Sequence, residues 1–195
     1  MIEQKPSRPR RIILGVFGAI LSGCMVCILF QNVCAEPAPV SRQDERLRPE
    51  PASQFQRVPV HLYFADRHNS FLKSEQRIML QSDDPTGFGK AIIESLIKGP
   101  QKGLVRTIPA ATELRAIYID SEKVCYVDLS EAVKSNHPGG SNSELLTIYS
   151  VVNSLILNVP EIEQVKILID GNESPTLAGH IDLQFPFKAH MLLIR

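Results

Sequence analysis

The sequence predicts an α+β domain in which two helices pack on one face of a mixed or antiparallel sheet, preceded by an N-terminal membrane segment. Three observations carry that expectation. Five short stretches read as strands, at residues 58–65, 76–81, 113–119, 123–129 and 165–169. Two longer stretches keep helical spacing and carry start and stop signals. Their order, strand, strand, helix, strand, strand, helix, strand, is close to the split βαββαβ arrangement with one strand added at its front.

The chain has 195 residues, about one domain's worth once its N-terminal region is set aside. Its 21 basic and 21 acidic side chains cancel, so no long-range field favours nucleic acid as a partner. Cys24, Cys27 and Cys34 crowd into the first 35 residues and leave Cys125 alone in the folded part. No internal disulfide framework is expected.

Residues 1–11 carry Lys5, Arg8, Arg10 and Arg11, a basic flank expected to stay in the cytoplasm. Residues 12–30 follow with no charge, and as a helix they span about 28 Å, close to the hydrocarbon thickness of a bilayer. That is longer than the usual apolar core of a signal peptide. Retention as a single-pass anchor is the favoured reading. Val33-Cys34-Ala35 before Glu36 also offers a signal-peptidase site, and Leu21-Ser22-Gly23-Cys24 has the look of a bacterial lipobox that would make Cys24 a lipid-bearing terminus. Against the lipobox, Met25 to Phe30 continues the apolar run. All three readings place the rest of the chain outside the cytoplasm. Residues 31–57, with Pro37, Pro39, Pro49 and Pro51 and no periodicity, form a Pro-rich tether, and residues 58–195 form the domain.

In the domain, Val58, Val60, Leu62 and Phe64 alternate with Pro59, His61, Tyr63 and Ala65, so the first strand has a period of two. Residues 66–70 make a turn, and a second strand at 76–81 puts Ile78 and Leu80 on one face. The first helix is the best marked element. Asp84 can cap it, Pro85 suits its first position, and Phe88, Ile92 and Leu96, widened by Ile93 and Ile97, give it an apolar stripe. Gly99 can take a left-handed conformation and Pro100 cannot continue a helix, so the chain turns there. After a loop over residues 99–112, two strands form a hairpin across Asp120-Ser121-Glu122. Ser141 and Glu144 fit a capping box for the second helix, which carries Leu145, Ile148, Tyr149, Val152, Leu155 and Ile156 and stops before Pro160. Val165, Ile167 and Ile169 give a last strand closed by Asp170-Gly171-Asn172, and Met191 to Ile194 is a candidate edge strand.

Several stretches together resemble the GerMN domain family. They are Val60-His61-Leu62-Tyr63-Phe64-Ala65-Asp66, Leu96-Ile97-Lys98-Gly99-Pro100, Thr107-Ile108-Pro109 with Thr112-Glu113-Leu114, Tyr126-Val127-Asp128-Leu129-Ser130, and Val165-Lys166-Ile167-Leu168-Ile169-Asp170-Gly171. The resemblance covers roughly residues 58–186. It implies an extracytoplasmic lipoprotein or membrane-anchored protein with a fold similar to the ring-building modules of secretion-type assemblies, and no enzymatic activity. The family's namesake carries two such domains where this chain has one.

The residues themselves offer few chemical candidates. Cys125 would be a nucleophile only beside a histidine, and its strand position favours a small buried residue. His61, His68, His137, His180 and His190 show no metal-binding spacing, and Gly139-Gly140 lacks the rest of a phosphate-binding motif. Asp128 and Asp170, at two strand ends, could pair for hydrolysis but suit turns and caps better. Gly99, Pro100, Pro109 and Gly171 are read as fold-defining. No catalytic residue, metal or cofactor is expected. The expected role is a non-enzymatic, membrane-tethered interaction module of the bacterial cell envelope, with an envelope hydrolase acting on peptidoglycan as the alternative. Its partners are envelope proteins, self-association included. The candidate partner surfaces are the helix-free sheet face and the loop over residues 99–112, where Lys102 and Arg106 are expected to be exposed.

Overall fold

Arg57–Ala65 (β1) and Leu72–Leu80 (β2) pair as an antiparallel hairpin without a register shift. The computed structural model describes residues 56–195, so the expectations for the basic flank, the membrane segment and nearly all of the tether lie outside the described residues. No helix among the described residues is long and apolar enough to cross a membrane.

Helix α1 (Pro85–Lys98) starts as its sequence dictates, with the Asp84 carboxylate accepting the N–H of Thr86 and Gly87. Phe88, Ile92, Ile93 and Leu96 are buried. Gly99 ends the helix at φ 89° and ψ 177°, a region open to glycine but distinct from the left-handed helical conformation that the sequence suggested. Next come β3 (Leu114–Ile119) and β4 (Val124–Leu129), an antiparallel hairpin as expected. A short helix α2 (Ala132–Ser135), not anticipated, precedes α3 (Ser141–Ile156), and β5 (Gln164–Ile169) lies parallel to β4.

The architecture is α+β, but the single sheet is a correction. β1 and β2 form one sheet, and β3, β4 and β5 form another. The reason lies in α3. Ser150, Ser154 and Asn158, one helical turn apart, aim at the outer edge of β1. Ser154 Oγ accepts the Tyr63 N–H at 3.0 Å and Ser150 Oγ donates to the Tyr63 carbonyl at 2.5 Å. The Asn158 amide accepts from the His61 N–H at 2.9 Å and donates to the His61 carbonyl at 2.8 Å. Val105 exchanges both backbone bonds with Ala65 at 3.1 and 2.8 Å. With those groups satisfied, no strand of the second sheet can pair there. Pro59 shares the parity of His61, Tyr63 and Ala65, so the edge loses no donor that the fold would have to satisfy.

Both sheets and both long helices still share one core, built from Val60, Leu62 and Phe64 of β1, the α1 stripe, Cys125, Val127 and Leu129 of β4, and Val151, Val152 and Leu155 of α3. Two further expectations are corrected. Ile78 and Leu80 share one face of β2, as expected, and that face is open, with the two residues 63% and 55% exposed. Ser141 and Glu144 make no capping box: α3 starts at Gly140 with no side-chain cap, and Glu144 points into the protein. Met191–Leu193 is a 3-10 turn, and only Ile194 bridges to a strand, at Leu72.

Candidate interaction surface

Residues 99–112 carry no acidic side chain, and the fold fixes their path at four places. First, Glu75 of β2 is buried and accepts the N–H of Gln101 and Lys102 at 2.8 and 2.9 Å. Burial pushes the Glu75 carboxyl up, but the Arg77 guanidinium at 2.5 Å and those two N–H groups more than offset it and hold the acid below its ordinary range. Second, two arginines cap the C-terminus of α1. Arg77 donates to the carbonyls of Ser95 and Gly99, and Arg106 to those of Ile97 and Lys98. Gly99 is favoured here by its positive φ, and a Cβ on it would lie 2.5 Å from the Arg106 guanidinium and push that cap aside.

Third, Val105 bridges to β1, as above. Fourth, a buried hydroxyl network ties Thr107 to α3. Thr107 Oγ1 and Ser150 Oγ are 2.7 Å apart, and Thr147 Oγ1 donates to the Thr107 carbonyl at 2.7 Å. Ile108 is fully buried behind them. Beside this network lies a cleft of about 230 Å³ between Arg106, Pro109, Asn69, Asn136 and Ser143.

The tip of the loop is basic. Lys98, Lys102 and Arg106 are exposed, and Arg67 of the β1–β2 turn reaches the Gly103 carbonyl. Lys102 and Arg106 sit on the same loop but differ in role. Only the Arg106 side chain is bound to backbone; Lys102 makes no side-chain contact of that kind among the described residues. Pro100 and Pro109 are half-buried at the two ends of the loop, and Gly171, at φ 77°, donates its N–H to Asp128 at 2.7 Å.

The remaining candidates take structural positions. Cys125 is buried, and burial pushes its thiol up to about 12. Arg115 bridges Asp128 at 3.3 Å and Asp170 at 3.0 Å, so a guanidinium stands between the two acids. His137 accepts the Gly139 N–H on Nδ1, which leaves Nε2–H to donate to Thr147 Oγ1 at 3.0 Å; burial lowers its pKa. Among the described residues no group of three or more His, Cys, Asp or Glu is placed to hold a metal.

Two organising residues escaped the sequence reading. Glu75 is one, and Glu144 is the other. Fully buried, Glu144 accepts the N–H groups of Leu177, Ala178, His180 and Ile181 at 3.0 to 3.2 Å, and thereby folds the segment after β5 against α3. The available signal was that Glu144 lies one helical turn before Ile148 of the apolar stripe.

Comparison with known proteins supplies the family. A family model described as "Sporulation and spore germination" (Germane) matches residues 61–175. The fold is similar to that of the first GerMN domain of the sporulation protein GerM from Bacillus subtilis, at 20% identity and a TM-score of 0.55, over 68% of this chain and 97% of that one. It is also similar to the tandem GerMN domains of that protein, at 18% identity and a TM-score of 0.53, over 68% of this chain and 46% of that one. This chain therefore spans about half the length of the tandem. No curated protein matches. The resembling stretches named above fall inside the matched residues except for Val60 at their start, and on that match the chain belongs to the Germane family.

Proposed function

We propose that the protein is a non-enzymatic, membrane-tethered interaction module of the bacterial cell envelope, whose basic loop docks on an acidic surface of a partner protein. The observation that carries this reading is the loop itself: residues 99–112 present Lys102 and Arg106, with Lys98 and Arg67 beside them, and no acidic residue. Bonds from Glu75, Thr147 and Ser150 fix its path, so little chain entropy is lost on binding. Cationic side chains on a fixed loop give an interaction that is selective for acidic partners and weakened by salt. The uncharged run at 12–30 supports the tether, and membership of the Germane family supports the envelope setting.

Affinity capture of the full-length protein from its native membranes tests the proposal. Lys102→Glu should reduce recovery of the partner, and raising the salt concentration should do the same to the wild type. Partner recovery that is insensitive to both would sink it. Hydrolysis of purified cell wall by the protein, abolished by Cys125→Ala or Asp128→Asn, would replace it with the peptidoglycan hydrolase. The buried thiol and the guanidinium between the two aspartates speak against that alternative.

A further inference from the structure

Among the described residues the strand edges are closed or interrupted, with one exception. The outer edge of β1 is covered by α3 and Val105. On the outer edge of β5, Phe187 exchanges both backbone bonds with Val165, and Asn172 bonds to Ile169. β3 is broken by a register shift between Leu114 and Ala116 and carries Arg115, devices that discourage pairing.

β2 differs. Its register with β1, fixed by the Gln81 N–H on the Gln56 carbonyl, directs the backbone groups of Leu72, Ser74, Gln76, Ile78 and Leu80 away from β1. Leu72 is occupied, since its carbonyl accepts the Arg195 N–H at 3.0 Å. The other four have no backbone partner among the described residues. No proline, bulge or outward charge protects the stretch, and Ile78 and Leu80 stand exposed beside it.

We propose that this edge pairs antiparallel with the same edge of a second copy of the chain, joining two hairpins into one four-stranded sheet. The proposal rests on reading the protein as an interaction module, but it concerns a surface separate from the basic loop. A second copy is the occupant that fits the window. A twofold axis at Arg77 sets Ser74 opposite Leu80 and Gln76 opposite Ile78, so that all four outward residues of each copy exchange hydrogen bonds. The Arg195–Leu72 bond closes the strand just before this window, and β2 ends just after it. The four side chains of the exposed face are uncharged, so within this window the like charges set opposite each other are the two Arg77 side chains on the axis. Arg77 lies on the axis, but its guanidinium is committed to Glu75, Ser95 and Gly99 of its own chain. Ile78 of each copy then lies opposite Gln76 and meets the other Ile78 on the diagonal across the axis, while Leu80 lies opposite Ser74 on the same face. A seven-residue edge is small among specific interfaces, so the pairing is weak in dilute solution and gains from confinement at a membrane.

The test places a photoreactive benzoylphenylalanine at position 76 of the full-length chain in bacterial membranes. Irradiation should give an adduct of twice the 21.7 kDa chain mass, with the cross-linked peptide covering residues 74–80 of the second copy. Ile78→Pro in the same chain removes an outward N–H without touching the β1 ladder and should abolish the adduct. Ile78→Lys, which keeps the backbone intact, should weaken the adduct by replacing the apolar diagonal contact across the axis with two like charges. No adduct, an adduct mapping elsewhere, or cross-linking to a different protein would each overturn the self-pairing. Partner recovery that still depends on Lys102 would in those cases leave the basic-loop reading standing.

Discussion

Replacing Glu144 by glutamine changes one oxygen to an amide and should cost the fold about 3 kcal/mol. In the wild type Oε1 accepts from Leu177, Ala178 and Ile181, while Oε2 accepts from the His180 N–H at 3.0 Å and faces His180 Nδ1 at 3.1 Å. The amide oxygen can keep the first three partners, but the amide nitrogen then confronts the His180 N–H, donor against donor. A hydrogen bond to a charged group contributes roughly 1.5–3 kcal/mol, and stranding a buried donor costs roughly 1–3 kcal/mol. The three surviving bonds also weaken when the acceptor loses its charge. About 3 kcal/mol is a large share of the stability of a domain this size, and it corresponds to roughly 10 °C in Tm. Urea and thermal unfolding followed by far-UV circular dichroism would measure it. A loss below about 1 kcal/mol would refute the claim that this carboxylate organises residues 177–181.

The same residue gives a pH dependence. Burial pushes the Glu144 carboxyl up, but the N–H groups of Ala178, Ile181, His180 and Leu177 more than offset it and hold it below its ordinary value. Its unfolded pKa is about 4.3, so the stabilisation is present above that pH and lost as pH falls through the lower folded value. Glu75 acts with the same sign. Wild-type stability should therefore fall below about pH 4, and Glu144→Gln should fall less steeply.

Gly99→Val should destabilise by about 2 kcal/mol, because it combines a positive φ with a Cβ that meets Arg106 at 2.5 Å; an unchanged urea midpoint would remove that account. Cys125 should resist thiol reagents until denaturant is added, since its thiol is buried and pushed up to about 12, and rapid labelling of the native protein would contradict its place in β4. Lys102→Glu should change stability by less than about 0.5 kcal/mol. Arg106→Glu should cost about 1 kcal/mol or more, because it removes two bonds to the carbonyls at the end of α1 and sets a negative charge against the negative pole of the helix. Equal unfolding midpoints for the two variants would show that the cap contributes nothing.

The legible parts of the fold were those fixed by local chemistry. Asp84, Pro85 and Gly99 punctuate α1 because a cap, a preset φ and a positive φ act within a few residues. The β3–β4 hairpin was legible for the same reason. The division into two sheets was not, because it depends on Ser150, Ser154 and Asn158 meeting Tyr63 and His61 from 87 to 97 residues away. The signal was present as polar residues at four-residue spacing, Ser150 and Ser154 in α3 and Asn158 just beyond its end. Glu144 misled because a glutamate three residues after a serine fits a capping box locally, while its N–H partners lie 33 to 37 residues downstream. Lys102 and Arg106 could be placed on one loop by sequence; that Arg106 also caps α1 required the turn at Gly99 to bring it back onto the helix end.

β2 therefore faces two ways, and that gives the two proposed surfaces a common support. Glu75 and Arg77, pointing to one side of the strand, hold residues 99–102 and the end of α1. Ser74, Gln76, Ile78 and Leu80, alternating with them, turn their backbone groups to the open edge. An isolated two-stranded hairpin is marginal in water, and here its stability comes from β1 lying against α1 and α3. β2 takes its ladder from β1 alone, and opening of that ladder would release Glu75 and with it the path of the basic loop. A strand added at the open edge would supply β2 with the second ladder that the fold withholds, and the backbone positions of Glu75 and Arg77 would be held from both sides.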